Sequence, residues 1–338
     1  MHPFEMTRAL VDIESITENE KQVGEFLFSH LSGLAAGTGG RAETMTVSPT
    51  RFNVYVEWGE PAVTLSTHMD TVPPFLPSRE DDEFIYGRGS CDAKGIIAAM
   101  VAAAEKLLAG GTRNFAVLFV VGEERNSAGA EVAARLARRS KYLINGEPTE
   151  SKVALGCKGI LRYEILAKGR MAHSAYPELG ESAIEKLLDA LAAIRRMPLP
   201  EDPVLGKTTV NIGTITGGRA PNVVPDAAKA ELSVRLVGEA APVDEALRGA
   251  VGDRAEVKEI LRLPAMRFAA LDGFPTSVVS FATDIPVLSP AWGQPFLFGP
   301  GSIHVAHTDG ERIAKRELLE AADHYASMTR MLLSRAAG

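Results

Sequence analysis

The stretch "NFAVLFVVGEE", residues 114–124, decides the fold. Its apolar run is unbroken from Phe115 to Val121. A strand alternates its side chains between two faces, so such a run leaves no face for water and belongs to a strand buried on both sides. Gly122 then breaks the run, and Glu123 and Glu124 follow where a buried strand would come to the surface. On either side, strand patterns alternate with helix patterns. "RFNVYVEWG" (51–59) and "AVTLSTH" (62–68) read as neighbouring strands, "GIIAAMVAAAEKLLAGG" (95–111) as a small-residue helix able to lie against a sheet, "AEVAARLARRS" (130–140) as a helix and "KYLINGE" (141–147) as a strand. Near the start, residues 17–34 carry helical spacing, with Thr17 and Glu20 in capping-box register. This alternation predicts an α/β fold: a mostly parallel-sheet catalytic domain with helices on both faces.

From residue 158 the order changes. Strand "GILRYEILAKG" (159–169), helix "ESAIEKLLDALAAIRRM" (181–197), strands "TTVNIGTITGG" (208–218) and "AAKAELSVRLVG" (227–238), helix "PVDEALRGAVG" (242–252) and strand "AEVKEILRL" (255–263) spell β-α-β-β-α-β. That is the ferredoxin-like arrangement. Three segments are therefore expected: a catalytic part over 1–157, an inserted ferredoxin-like domain over 158–264 and a second catalytic part over 265–338.

Bulk properties narrow the function. A net charge of −7 without a basic block argues against nucleic acid as a partner. No apolar run approaches the roughly 18 residues of a membrane helix. "MHPFEMTRALVDIESITE" lacks the pattern of a signal peptide, and two cysteines, Cys91 and Cys157, make no disulfide framework. A cytoplasmic setting is expected.

Polar residues collect where the apolar strands end. His68 and Asp70 lie in "STHMDTVPP" (66–74), Asp92 in "YGRGSCDAKG" (86–95), Glu123 and Glu124 after the buried strand, Glu147 after "YLIN", and His307 in "GPGSIHVAHTDGE" (299–311). Ligands of open α/β sheets bind beyond the carboxyl ends of the strands. A single glutamate after a strand is ordinarily a solvated turn residue. Five segments delivering imidazoles and carboxylates to one region suit a two-metal centre of zinc, cobalt or manganese. If Asp92 bridges two divalent ions, His68 and Glu147 complete one site, and Glu124 and His307 the other. Such a centre converts water into a nucleophile near neutral pH. Glu123 is then the general base and acid, and Asp70 orients the His68 imidazole.

These segments, with "AHSAYPELGESAI" (172–184) and "NVVPDAAKAELSVR" (222–235), resemble the dinuclear-zinc amidohydrolases that include acetylornithine deacetylase, succinyl-diaminopimelate desuccinylase, aminoacylase and glutamate carboxypeptidase. They occur in family order over nearly the whole chain. The resemblance implies the metal roles above, two zinc ions per chain, a cis peptide after Asp92, and a homodimer formed through the inserted domain. It implies that His173 crosses the dimer interface to stabilise the oxyanion, and that Asn222 and Arg235 hold the substrate carboxylate. His304 is a second candidate in the last loop; the match of "AHT..E" favours His307. Gly310 departs from the family, whose members usually carry an acidic residue before Glu311.

The expected activity is hydrolysis of the amide bond of N-acyl-L-amino acids, with "GPGSIHVAH" most similar to acetylornithine deacetylase. A desuccinylase, dipeptidase or carboxypeptidase of the same family is the alternative, and a non-catalytic metal-binding scaffold the alternative from another class.

Overall fold

The computed structural model describes residues 1–136 and 140–338, and these fall into two compact units. The first comprises Met1–Leu155, Phe268–Ser277 and Thr283–Gly338; the second comprises Gly156–Arg267 and Val278–Ala282. The first unit opens with helices α1 (Pro3–Val11) and α2 (Lys21–Thr38), then β1 (Arg41–Ser48), β2 (Arg51–Trp58), β3 (Val63–His68), α3 (Lys94–Ala109), β4 (Phe115–Val120), α4 (Ala128–Arg135) and β5 (Tyr142–Asn145). Strand β6 (Val153–Cys157) leads into the second unit. Residues 137–139 of the helix expected over 130–140 lie outside the described residues.

The second unit holds β7 (Gly159–Lys168), α5 (Ala183–Ile194), β8 (Thr209–Gly217), β9 (Ala227–Leu236), α6 (Ala240–Val251) and β10 (Glu256–Leu263). Its sheet runs β8-β9-β7-β10, antiparallel throughout. Alternate residues Leu161, Tyr163, Ile165 and Ala167 of β7 pack under Leu187 and Leu191 of α5 and Val243 and Leu247 of α6. The helices thus cover one face only, which the period-2 pattern of β7 and β9 demands. On the uncovered face stand Arg162, Glu164, Lys229, Ser233 and Arg235.

The chain re-enters the first unit to form α7 (Ile285–Trp292), β11 (Gln294–Leu297) and α8 (Lys315–Ala337). The large sheet is mixed, ordered β1-β2-β4-β3-β5-β11-β6. Its centre, β4-β3-β5-β11, is parallel, while β1, β2 and β6 join antiparallel. Strands β3 and β4 are buried along their whole length, as the unbroken run of β4 requires. Phe115, Val117, Phe119 and Val121 face a core built with α2, α3 and α8; Ala116, Leu118 and Val120 face another built with Ala130, Ala133, Leu288 and Trp292 of α4 and α7. One strand therefore serves two cores, and the unit is a three-layer α/β/α stack.

Two local expectations differ, and one helix forms where none was expected. Strands β2 and β3 are not neighbours, because β4 inserts between them. Helix α1, started by a His2–Glu5 capping box, buries Met6, Thr7, Leu10 and Val11 along one face. The capping-box pair ahead of α2 does other work. Glu20 at the N-cap makes no cap bond and instead accepts both forks of the Arg51 guanidinium at 2.6 and 2.8 Å, while the Thr17 hydroxyl donates to Asp70 at 2.7 Å. A partner supplied by tertiary structure outcompetes the local cap in both cases. Among the described residues no helix is long and apolar enough to cross a membrane.

Candidate metal centre

The parallel centre of the sheet sets the site. His68 ends β3, Glu123 and Glu124 follow β4, Glu147 follows β5, and His307 lies in the loop between β11 and α8. Asp92 stands just ahead of α3, and the peptide from Asp92 to Ala93 is cis. His68, Asp92 and Glu124 each bring a ligand atom within 4.8 Å of the others. The two oxygens of Asp92 face different histidines: Oδ1 is 3.0 Å from His68 Nε2, and Oδ2 is 3.5 Å from His307 Nε2. His307 Nε2 also lies 2.9 Å from Glu124 Oε1, and His68 Nε2 lies 4.0 Å from Glu147 Oε2. Thus all five proposed ligands meet in the first unit, with Asp92 between the two imidazoles. His304, the other candidate of the last loop, is exposed, and its N–H bonds the Ser302 hydroxyl.

Two buried carboxylates hold these parts in register. Asp70, fully buried, accepts the N–H groups of Gly122 and Glu123 on Oδ1 at 2.9 and 3.1 Å, and that of Glu124 on Oδ2 at 3.2 Å. Gly122 adopts φ 83°, a left-handed turn that aims successive N–H groups at one anion. Asp70 also backs His68: Nδ1 of the ring lies 3.0 Å from the Asp70 carbonyl and 3.5 Å from its carboxylate.

Glu311 does for Asp92 what Asp70 does for the glutamate turn. Its Oε1 accepts the N–H groups of Gly89, Cys91 and Asp92 at 2.9, 3.2 and 3.1 Å, and its Oε2 accepts Arg88 at 2.5 Å. Arg88 also donates to the Thr308 carbonyl at 3.3 Å. The loop carrying His307 is therefore tied to the loop carrying Asp92. His307 itself sits at φ 62°, a region that costs a non-glycine residue roughly 1–2 kcal/mol. Reading the sequence for ligands alone misses Glu311. Its signal was its place in "AHTDGE", four residues beyond His307.

The electrostatics are those of crowded anions. Burial pushes the Glu123 and Glu147 carboxyls well above the usual range, and neighbouring carboxylates add to it. Burial also raises Glu124, partly offset by His307. His307 is lifted to about 10 by Asp92 and Glu124. Burial lowers His68, but its bonds to Asp70 and Asp92 and the charge of Glu147 more than offset that and hold it well above its ordinary value. Glu147 Oε1 is buried without a hydrogen-bond partner. An unpartnered buried oxygen among imidazoles and carboxylates is what a divalent cation would satisfy, so the donor set fits the metal that the sequence implied.

The family model for peptidase family M20/M25/M40 matches residues 64–331, most of the chain and every one of these groups from His68 onward. The chain belongs to peptidase family M20. A Peptidase M20 domain-containing protein of Schizosaccharomyces pombe is 38% identical over 331 residues, covering 95% of this chain and 82% of the relative. A probable carboxypeptidase of Aspergillus oryzae is 37% identical over 375 residues, covering 97% of this chain and 87% of the relative. Among solved structures, the aminopeptidase PepT from Bacillus cereus superposes with a TM-score of 0.82 at 21% identity, over 98% of each chain. The chain is thus an M20-family metallohydrolase. The Aspergillus oryzae relative is a probable carboxypeptidase, which favours the peptidase alternative over the acetylornithine-deacetylase-like reading of the "GPGSIHVAH" loop.

The other expected site residues lie in the second unit. His173 pairs with Val223 in a two-residue ladder, and the Ser174 N–H bonds the Asn222 carbonyl at 3.0 Å, so His173 and Asn222 share one corner. His173 Nδ1 accepts the Ala175 N–H at 3.1 Å, which leaves Nε2 as its outward N–H. Arg235 stands apart from them on the uncovered sheet face.

A further buried acid had no sequence signal. Asp284 occupies the N-cap of α7 yet makes no cap bond, is 1% exposed, and neither of its oxygens completes a hydrogen bond. Burial raises its pKa to about 6, and the nearby Ser127 hydroxyl offsets only part of that. The folded chain therefore holds this proton between about pH 4 and 6 where the unfolded chain has lost it, and stability falls as pH rises through that window. Asp284→Asn should accordingly stabilise the metal-free protein by up to about 3 kcal/mol at pH 7.5 and by less at pH 5. Urea melts at both values check it; a gain independent of pH contradicts it. Glu311→Gln faces N–H donors with an amide and breaks a buried ion pair. It should cost roughly 3–5 kcal/mol and release bound metal during dialysis that wild type survives, whereas unchanged melting and metal content would show that Glu311 is not a strut.

Proposed function

We propose that this M20 protein is a carboxypeptidase-type metallohydrolase, cleaving the amide bond on the amino side of a substrate's free α-carboxylate. The observation that carries it is the Asp92 carboxylate set between two imidazoles, with Glu124 and Glu147 flanking it and Glu123 beside them. His68, Asp92 and Glu147 would hold one divalent ion, and Asp92, Glu124 and His307 a second; zinc, cobalt and manganese all suit this donor set. Bound there, such ions polarise the scissile carbonyl and lower the pKa of water.

The chain's own groups do the rest. Glu123 stands one residue from Glu124 on the turn held by Asp70, and burial together with the neighbouring carboxylates raises its affinity for a proton, which suits a base. It can accept a proton from the attacking water and deliver it to the departing amine nitrogen. His173 and Asn222 lie together towards the other end of the same sheet from Arg235 and would reach the substrate from a partner copy, His173 with its Nε2–H on the oxyanion. Arg235 would bind the α-carboxylate. Arg235 suits that role because its half-buried guanidinium has no protein counter-ion among the described residues. Similarity to the probable carboxypeptidases supports a peptide over an N-acetyl amino acid.

Loaded with zinc, cobalt or manganese in turn, the enzyme should cleave dipeptides and N-acylated dipeptides with a free C-terminus at least tenfold faster than the same compounds amidated there. Equal rates, or hydrolysis confined to N-acetyl amino acids, would return the reading to the deacylases. Glu123→Gln should lower kcat at least ~10²-fold with two ions per chain retained by elemental analysis. Metal lost together with activity would mean that Glu123 and Glu124 have exchanged roles.

A further inference from the structure

The uncovered face of the four-stranded sheet in the second unit is electrostatically lopsided. Towards one end, every charge is answered. Lys229 bonds Glu164 and Glu231 at 3.2 and 2.7 Å, and Lys258 lies 3.4 Å from Glu164. One rung further along, the pattern stops. Arg162 of β7 stands opposite Ser233 of β9, so Arg235, two residues on from Ser233, is its diagonal neighbour on the same face. Across β8 the rungs are completed by Asn211 and Thr209, which carry no charge. Neither guanidinium has a carboxylate partner among the described residues, and burial together with the charge of Arg162 lowers the pKa of Arg235.

Two neighbouring cations without an anion repel each other, and the fold answers its other cations on this face. Like charges this close are retained at a cost unless something arrives to neutralise them. Arg235 is half-buried near the end of its strand, whereas Arg162 is exposed. A ligand bearing two carboxylates matches the pair in charge and number, each guanidinium taking one in a planar fork.

We propose that Arg162 and Arg235 form a two-point anion site that selects substrates whose C-terminal residue is itself acidic, aspartate or glutamate, with Arg235 on the α-carboxylate and Arg162 on the side-chain carboxylate. This rests on the carboxypeptidase reading above and adds to it a specificity residue, Arg162, that the motifs do not mark.

The test compares N-acylated dipeptides ending in glutamate and in glutamine, which differ in charge and hardly in shape. Wild type should prefer glutamate in kcat/KM by about tenfold or more, the usual scale of one charged hydrogen-bonded contact. Arg162→Ala should erase about tenfold of that preference, Arg162→Lys should restore part of it, and Arg235→Ala should depress both substrates together. A preference that Arg162→Ala does not move, or an equal fall on both substrates, overturns the proposal. If no peptide is hydrolysed with any metal, the carboxypeptidase reading fails by itself. Calorimetry then decides the pair alone, using glutarate and its monoanionic analogue butyrate. Tighter binding of glutarate that Arg162→Ala abolishes sustains the site, and equal or absent binding of the two overturns it.

Discussion

The site depends on one carboxylate that touches no substrate. Asp70 sits fully buried between the ends of β3 and β4, and its two oxygens are spent on three backbone N–H groups and the Thr17 hydroxyl. Charge-assisted bonds of this kind are about twice as strong as neutral ones. Together with the imidazole they outweigh the burial penalty and hold Asp70 ionised below its usual pKa. From that anion two things follow. His68 is oriented with Nε2 towards Asp92, and the Gly122–Glu124 turn is pinned at three successive N–H groups. Without the anion, the turn would bury three N–H donors with no acceptor.

The crowding of acids beyond Asp70 is the price of a site that must hold cations. Asp92, Glu123, Glu124 and Glu147 share a volume with two imidazoles, and burial drives the three glutamates towards the neutral form. A chain selected for stability alone would place apolar or paired groups there. The molecule instead keeps the acids and surrounds them with rigid scaffolding, the two-core strand β4 on one side and the almost wholly buried helix α3 on another. Asp284 adds to this crowding: this acid is buried near the Ser127 hydroxyl, and its charge helps raise the Glu123 and Glu147 carboxyls.

What the sequence made legible follows from how local each signal is. The unbroken run Phe115–Val121 specified a doubly buried strand because alternation is a property of the strand itself, and the two cores it faces follow directly. His68, Asp92, Glu124, Glu147 and His307 could be gathered because carboxyl ends of parallel strands meet at one edge of the sheet. Thr17, Glu20 and Glu311 were misread or passed over because their partners lie 53, 31 and about 220 residues away. A capping box and a long-range strut use the same residue types, and nothing local distinguishes them. The placement of β4 between β2 and β3 is of the same kind, since it is set by the crossover through α3 and not by any residue in the hairpin region. Asp284 was invisible for the opposite reason: an aspartate before a helix reads as a cap, and only the fold reveals that it caps nothing.

The two struts also make the halves of the centre unequal. His68 ends β3 and Glu147 follows β5 by two residues, and both are buried, at 1% and 4% exposed, so packing sets their positions. His307 has an exposed side chain on a loop, in a left-handed conformation, and is held through Arg88 and Glu311. Its position is therefore a balance between backbone strain of roughly 1–2 kcal/mol and a few hydrogen bonds of similar worth. Asp92 belongs to both halves, and Glu311 grips the N–H of Asp92 with one oxygen and Arg88 with the other. The His307 loop is thus linked to Asp92 through one buried carboxylate. Packing thus sets one side of Asp92, and a strained loop tied through Glu311 sets the other.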